Sequence, residues 1–396
     1  MNNIAPNKYF RLFYFISYLS FAFVMTNYTP FLSGLGYDEM QRGILLSSYA
    51  ITTILFQVIF GVISDIKQSV KRIIIISIGL YTLTACLLYN QTEKLLGLHI
   101  LLIALSGGLL NANCGMFDTW VINISEEYKK SLSFIKAFGS IGWALGSVGA
   151  SYIISIISYK GMALALLALS VLMFFNMKIL PDIDKVEKKK KVSLGEILKI
   201  FSNKKYTLLV FILLLMYSVV VANNCTVVDK LIKLGASRGE ISLKWFTQSL
   251  VEIPTYIMGG IILKRFNSYN ILKISCLAIT IQFILFSICN NVRDMIILNI
   301  FQLFSTPLIL ISSKKIIDEI SDKNIKGSSQ LIAMSIFTGL SSMIVPAIAG
   351  TLTMKVGIDL TLLLEGLLGV IAFALIYVLQ FSTNFLDPWG PKNWKF

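Results

Sequence analysis

Twelve apolar runs, each close to the roughly 20 residues that cross a bilayer core, set the terms on which this chain folds. They lie near 9–32, 43–64, 73–89, 98–122, 137–157, 162–180, 206–228, 245–263, 271–289, 295–312, 330–353 and 360–381. In hydrocarbon, backbone N–H and C=O groups find partners only inside helices or around a closed barrel, and runs this uniformly apolar lack the alternation of barrel strands. The fold class is therefore an all-α membrane protein, with twelve transmembrane helices arranged as two six-helix bundles. Composition agrees: 56% of residues are hydrophobic and 14% charged, where soluble domains carry about a quarter charged residues.

The net charge of +14 does not point to nucleic acid. The cations sit in short clusters between apolar runs, as they do when the partner is the lipid bilayer. Assigning loops alternately to two sides places 26 of the 35 Lys and Arg residues on the side of the N-terminus and 9 on the other. Cytoplasmic loops collect Lys and Arg, so the expectation is a multi-pass protein of the cytoplasmic (cell inner) membrane with both termini inside. The first run, after "NKYFR", is too long for a signal peptide and shows no small-residue cleavage site, so it reads as a retained helix 1.

The longest hydrophilic interruption, Pro181–Lys205, follows the sixth run and divides the chain. The expected organisation is a six-helix bundle over 1–180, a central cytoplasmic loop over 181–205, and a second six-helix bundle with a short cytoplasmic tail over 206–396. Within the loop, "LGEILKIF" has helical apolar spacing and is expected to lie on the membrane surface. The halves echo each other: "GVISDIKQSVKR" from Gly61 recurs weakly 199 residues later as "GIILKRFNSYN" from Gly260. Internal repeats of this kind point to a transporter whose halves rock around a midplane site that takes a small-molecule substrate.

Other chemistries find no support. Cys86, Cys114, Cys225, Cys276 and Cys289 all fall inside apolar runs without metal-ligand or disulfide spacing, and read as packing residues. No P-loop, His/Cys cluster or Gly-x-Ser-x-Gly is present. No enzyme, metal or cofactor is expected. His99, at the start of the fourth run, reads as an interfacial residue.

The second run ends on Gly61, followed by Asp65, Lys71 and Arg72. A glycine there lets another helix approach, an acid accepts from a neighbouring helix N-terminus, and the two cations hold the loop inside. This pattern, between helices 2 and 3 of a twelve-helix chain, resembles the Gly–Asp–basic signature of the major facilitator superfamily. Within it, "LFQVIFGVISD" and "DTWVINISEEYKKSLSFIKAFGSIGWAL" (Asp118–Leu145) are similar to stretches of the lactose permease, or oligosaccharide:proton symporter, family. The resemblance implies that Asp118 and Lys136, 18 residues apart, bind sugar hydroxyls and that Trp143 stacks on the sugar ring. The family has arginine where this chain has Lys136, so a bidentate fork becomes a point charge. A similar "GSIGW" turn occurs in nucleoside symporters and in the phenylpropionate-permease-like group, and "VEIP" (Val251–Pro254) looks more like the latter.

The resemblance fails where that family handles protons. Its charged helix 9 and 10 positions read Gln282, Asn299, Gln302 and Ser305, and a charge pair between helices 7 and 11 reads Thr226 and Thr338. Glu252, mid-helix before Pro254, is the expected replacement, because an ionisable group inside the membrane is by default functional. Asp229, beyond helix 7, is either a second coupling residue or an acid solvated at the outer surface. Tyr28, Asn223, Asn224 and Gln302 are candidate cavity-lining groups, and Glu365 is expected to point inward. The function expected is a secondary active transporter, monomeric, moving a sugar or oligosaccharide by alternating access with protons as coupling ion. A nucleoside or aromatic-acid permease is the alternative, and a non-transporting membrane sensor or subunit the second class.

Overall fold

The computed structural model describes residues 5–67, 69–182, 200–321 and 326–385. Among them are twelve helices long and apolar enough to cross a membrane, numbered here α1 (Lys8–Gly34), α2 (Glu39–Ser64), α3 (Lys71–Tyr89), α4 (Leu96–Ile122), α5 (Phe134–Ile157), α6 (Tyr159–Ile179), α7 (Lys204–Lys233), α8 (Arg238–Arg265), α9 (Ser268–Ile288), α10 (Val292–Ile320), α11 (Ile332–Val356) and α12 (Ile358–Ser382). Large apolar side chains such as Val58, Leu164, Ile257 and Phe381 remain exposed on their outer surfaces, as a lipid-facing wall requires. The expected surface helix around "LGEILKIF" falls largely on 183–199, and the C-terminal tail on 386–396; both lie outside the described residues.

Helices α1–α6 pack mainly on one another, as do α7–α12; α2 meets α11 and α5 meets α8 between the two sets. The first helix of each set is interrupted at an equivalent place. Helical structure in α1 stops at Met25 and resumes at Tyr28; in α7 it stops at Ala222 and resumes at Thr226. The repeat at an offset of 199 continues beyond: Gly36 and Gly235 both take φ of +79°, and Asp38 and Ser237 both cap the helix that follows. Asp38 Oδ1 accepts from the Gln41 N–H at 2.8 Å, and Ser237 with Glu240 forms a capping box. Such caps satisfy N–H groups left open at a helix start and contribute about 1 kcal/mol each. The weak sequence echo thus has a counterpart in the backbone.

The chain ends define one face of the molecule, here the terminal face. On the opposite face the two halves are shut against each other. A side chain at Gly43 of α2 would collide with the Pro346 carbonyl of α11, and one at Gly350 would collide with the Glu39 carbonyl. Absence of Cβ atoms at both positions lets the two backbones touch. On the other side of the interface, Ser147 of α5 donates to the Ser242 carbonyl of α8 at 3.3 Å.

At the terminal face the halves stand apart. Among the described residues nothing lies within 4 Å of where a Gly61 side chain would be, so the close helix approach expected there is not made by any of them. The Asp65 side chain lies outside the described set. Lys71 does hold the loop: its Nζ donates to the Leu180 carbonyl at 2.7 Å, at the end of α6, while the Arg72 N–H donates to Ser69 at 3.4 Å. His99, expected at the membrane interface, is instead fully buried, its Nδ1 2.9 Å from the Tyr37 hydroxyl. The loop residue Tyr37 folds over the start of α4 and removes the imidazole from water.

Candidate functional site

Separation of the halves on one face and closure on the other leaves a cavity of about 460 Å³ between them. Its wall is drawn from α1, α5, α7, α8 and α10, and includes Lys136, Trp143, Asn224, Trp245, Glu252 and Lys314.

Helical register explains the α5 contribution. Lys136, Ser140 and Trp143 recur at spacings of four and three, so they share one face. The neighbouring Gly142 meets the α1 backbone at the Phe15 carbonyl, which turns Trp143, a residue further round, toward the cavity. Lys136 Nζ lies 2.7 Å from Asp118 Oδ2 on α4, and the Tyr14 hydroxyl donates to Asp118 Oδ1 at 3.0 Å. Both oxygens of the acid are therefore engaged while the Lys136 side chain remains 45% exposed. This arrangement offers a polar solute one charged donor and one held acceptor beside an indole face.

The α8 wall follows the same logic. Trp245, Gln248, Ser249, Glu252 and Tyr256 line the cavity at helical spacing. Gln248 Nε2 donates to Glu252 Oε1 at 3.3 Å and receives the Asn223 amide on its own Oε1 at 3.2 Å. Behind this wall Lys244 is fully buried, its Nζ donating to the Asn223 carbonyl at 3.1 Å. That carbonyl is free because α7 is interrupted there, so the helix break provides the seat for a buried cation.

Lys136, Trp143, Asn224 and Glu252 thus line one cavity, and Asp118 stands behind its wall, joined to it through Lys136. Tyr28, Asn223 and Gln302 do not line it. Tyr28 is buried in α1, its hydroxyl 2.8 Å from Ser106, on the side toward the closed face. Asn223 stands behind the α8 wall. Gln302 belongs to a chain of neutral groups inside the second half, donating to Gln282 at 2.9 Å and accepting from Ser305 at 2.8 Å. Once the charges expected from the resemblance are absent, amides and hydroxyls satisfy each other and turn away from the cavity. Asp229 is also remote from it. Rather than being solvated, it is 6% exposed and paired with Arg42 of the first half. Thr226 donates to Glu365 of α12 at 2.7 Å, so that acid does point inward, with its second oxygen buried and unpartnered. Among the described residues no group of His, Cys, Asp or Glu side chains converges as a metal site.

Residues 9–363, nearly the whole chain, match the MFS_1 like family. The chain belongs to this family. As a member of the major facilitator superfamily it is 32% identical to the melibiose permease of Enterobacter cloacae subsp. cloacae over 152 residues, 35% of each chain. That match spans about a third of the relative's length. A longer one, 23% identical, covers 93% of this chain and 92% of the raffinose permease of Escherichia coli. In fold, this family member superposes on a mutant of the nucleoside transporter NupG with a TM-score of 0.81, at 16% identity, covering 94% of this chain and 99% of that one.

Several residues on or behind the cavity wall escaped sequence reasoning: Tyr18, Lys244, Trp245, Gln248, Tyr256 and Lys314. For α8 a signal was there. Trp245, Gln248, Glu252 and Tyr256 form a polar and aromatic stripe at helical spacing within an apolar helix. Lys244 and Lys314 were counted as loop cations, because each lies within a turn or two of the end of its apolar run.

Proposed function

We propose that this protein is a secondary transporter that carries a sugar or oligosaccharide across the cytoplasmic membrane by alternating access. Support comes from one arrangement above all: the Asp118–Lys136 pair at 2.7 Å, beside Trp143 on the wall of a cavity between two rocking halves. Carboxylate and ammonium groups recognise hydroxyls in complementary senses, and an indole covers the apolar face of a sugar ring. Relatives that transport melibiose and raffinose point the same way. With both termini in the cytoplasm, as the Lys and Arg distribution requires, the terminal face is the inner face and this conformer is open inward. The two halves, 1–180 and 206–396, are the rocking units, and the carrier works as a monomer.

Glu252 is the proposed proton site. It sits on the cavity wall, two residues before Pro254 within α8, where protonation and substrate occupancy sense each other directly. Asp229 has a different role: paired with Arg42 at the closed face, it latches the halves.

A nucleoside or aromatic-acid substrate is the second reading, favoured by the two indoles, Trp143 and Trp245, on one cavity wall. Thermal-shift measurements on purified protein with sugars, uridine and phenylpropionate separate the two. The sugar reading expects stabilisation by a mono- or disaccharide that Trp143→Ala abolishes. Stabilisation by uridine alone favours the second. A protein that binds none of them and whose variants alter only a partner's signal is a sensor.

A further inference from the structure

Among the described residues, one charged group on the cavity wall has no partner. Lys136 is matched by Asp118 at 2.7 Å. Glu252, held by Gln248, lies within electrostatic reach of the buried Lys244 behind the wall. Among the described residues one lysine of the cavity wall is left over, Lys314.

Its position is built rather than incidental. After the interruption of α10 at Ser305, helical structure resumes over Thr306–Ile320. Thr306, Leu310 and Lys314 recur every four residues, on one face, and all three line the cavity. The adjacent Lys315 points elsewhere, its Nζ donating to the Leu263 carbonyl of α8 at 3.0 Å. Lys314 Nζ has no ion pair or hydrogen bond among the described residues, and it is exposed within the cavity. It stands on the second half, within electrostatic reach of the Asp118–Lys136 pair on the first.

Asp118 is engaged by Lys136 and Tyr14 and Glu252 by Gln248, so among the described residues neither acid is left for Lys314. If Asp118 moved to Lys314 as the inner mouth closed, Lys136 would be abandoned in its place. Either way, closure around a neutral solute withdraws one ammonium from water without a partner, which is costly inside a membrane. A solute that brings its own anionic group gives Lys314 a partner and removes the difficulty.

We infer that the transported solute is a glycoside carrying a single anionic group, carboxylate or phosphate, which seats on Lys314 while its sugar ring occupies the Asp118, Lys136 and Trp143 site. The inference rests on the sugar reading of that cavity. Lys314 acts as the specificity-determining residue: its compact ammonium accepts either anion, and anion and sugar contacts come from opposite halves, so the loaded carrier alone is free to close.

The test uses lactose, melibiose and sucrose skeletons, each as the neutral sugar, with one hydroxymethyl oxidised to a carboxylate, and with the same hydroxymethyl phosphorylated. Binding to the full-length protein in nanodiscs is read from tryptophan fluorescence at low salt. The expected result is that, for at least one skeleton, an anionic form binds about tenfold or more tighter than its neutral parent. Lys314→Gln should erase that preference, and Lys314→Arg should keep it. Preference for the carboxylate over the phosphate, or the reverse, identifies the anion. Equal binding of neutral and anionic forms overturns the inference and leaves the sugar reading standing. Equal loss of both forms in Lys314→Gln, unrescued by Lys314→Arg, overturns it as well. No binding by any of the nine compounds removes the sugar reading and the inference together.

Discussion

Arg42 of α2 reaches Asp229 of α7 across the boundary between the two halves, Nη2 lying 2.8 Å and Nε 3.0 Å from the same carboxylate oxygen. Both side chains are almost wholly buried, 6% and 7% exposed. The guanidinium also bonds the Tyr37 carbonyl and lies 3.3 Å from Glu39, so it is anchored on its own half and offers one arm to the other.

Asp229→Asn is expected to release the closed face. Truncating one partner of a buried charge pair costs on the order of 2–5 kcal/mol, and only the closed conformation bears that cost. Spin labels at positions 92 and 290, in loops on that face, should report a shift toward longer distances. Swapping the charges with Arg42→Asp and Asp229→Arg should restore part of the closed population. Unchanged distances in Asp229→Asn would deny the pair a latching role.

A steric route leads to the same outcome. Gly350→Val places atoms where the Glu39 carbonyl lies, and overpacking of this kind costs about 1–3 kcal/mol. The same label pair should lengthen. Raising salt should leave this effect unchanged, since no charge is involved.

Trp143→Ala should weaken sugar binding by about tenfold or more, and Trp143→Phe by less, because a smaller ring keeps part of the stacking face. Isothermal titration of purified variants measures both. Equal affinities for wild type and Trp143→Ala would remove the indole from the site.

Glu252→Gln holds the side chain permanently in the neutral form while keeping its contact with Gln248. Substrate exchange in proteoliposomes should persist, while accumulation driven by an imposed pH gradient should fall to background. Net uptake by the variant should lose its dependence on pH. Retained uphill transport would place the proton elsewhere.

Much of this architecture could be read from the residues, because lipid leaves the backbone so few options. The span count, the inward-facing Glu365 and the place of Lys136 and Trp143 on one helix face all follow from apolar runs, spacing and resemblance. Asp229 was illegible for a different reason: its partner lies 187 residues away, and no local pattern joins them. Tyr28, Asn223 and Gln302 show the limit of reading polar residues within spans. Which way such a group faces depends on where α1, α7 and α10 break, and those breaks come from packing. Gly61 marks a further limit, since the residues around it do not say whether another helix meets it in this conformation.

The Gln282–Gln302–Ser305 chain has an electrical consequence. Amides and hydroxyls carry no net charge, so this stretch of the second half moves nothing through the transmembrane field as the halves exchange positions. A unit charge crossing 100 mV is worth about 2.3 kcal/mol. The membrane voltage therefore acts on this carrier through its other buried charges, such as Glu252 and the Arg42–Asp229 pair, and whatever the cargo brings, and currents recorded on supported bilayers should change with the charge of the solute supplied.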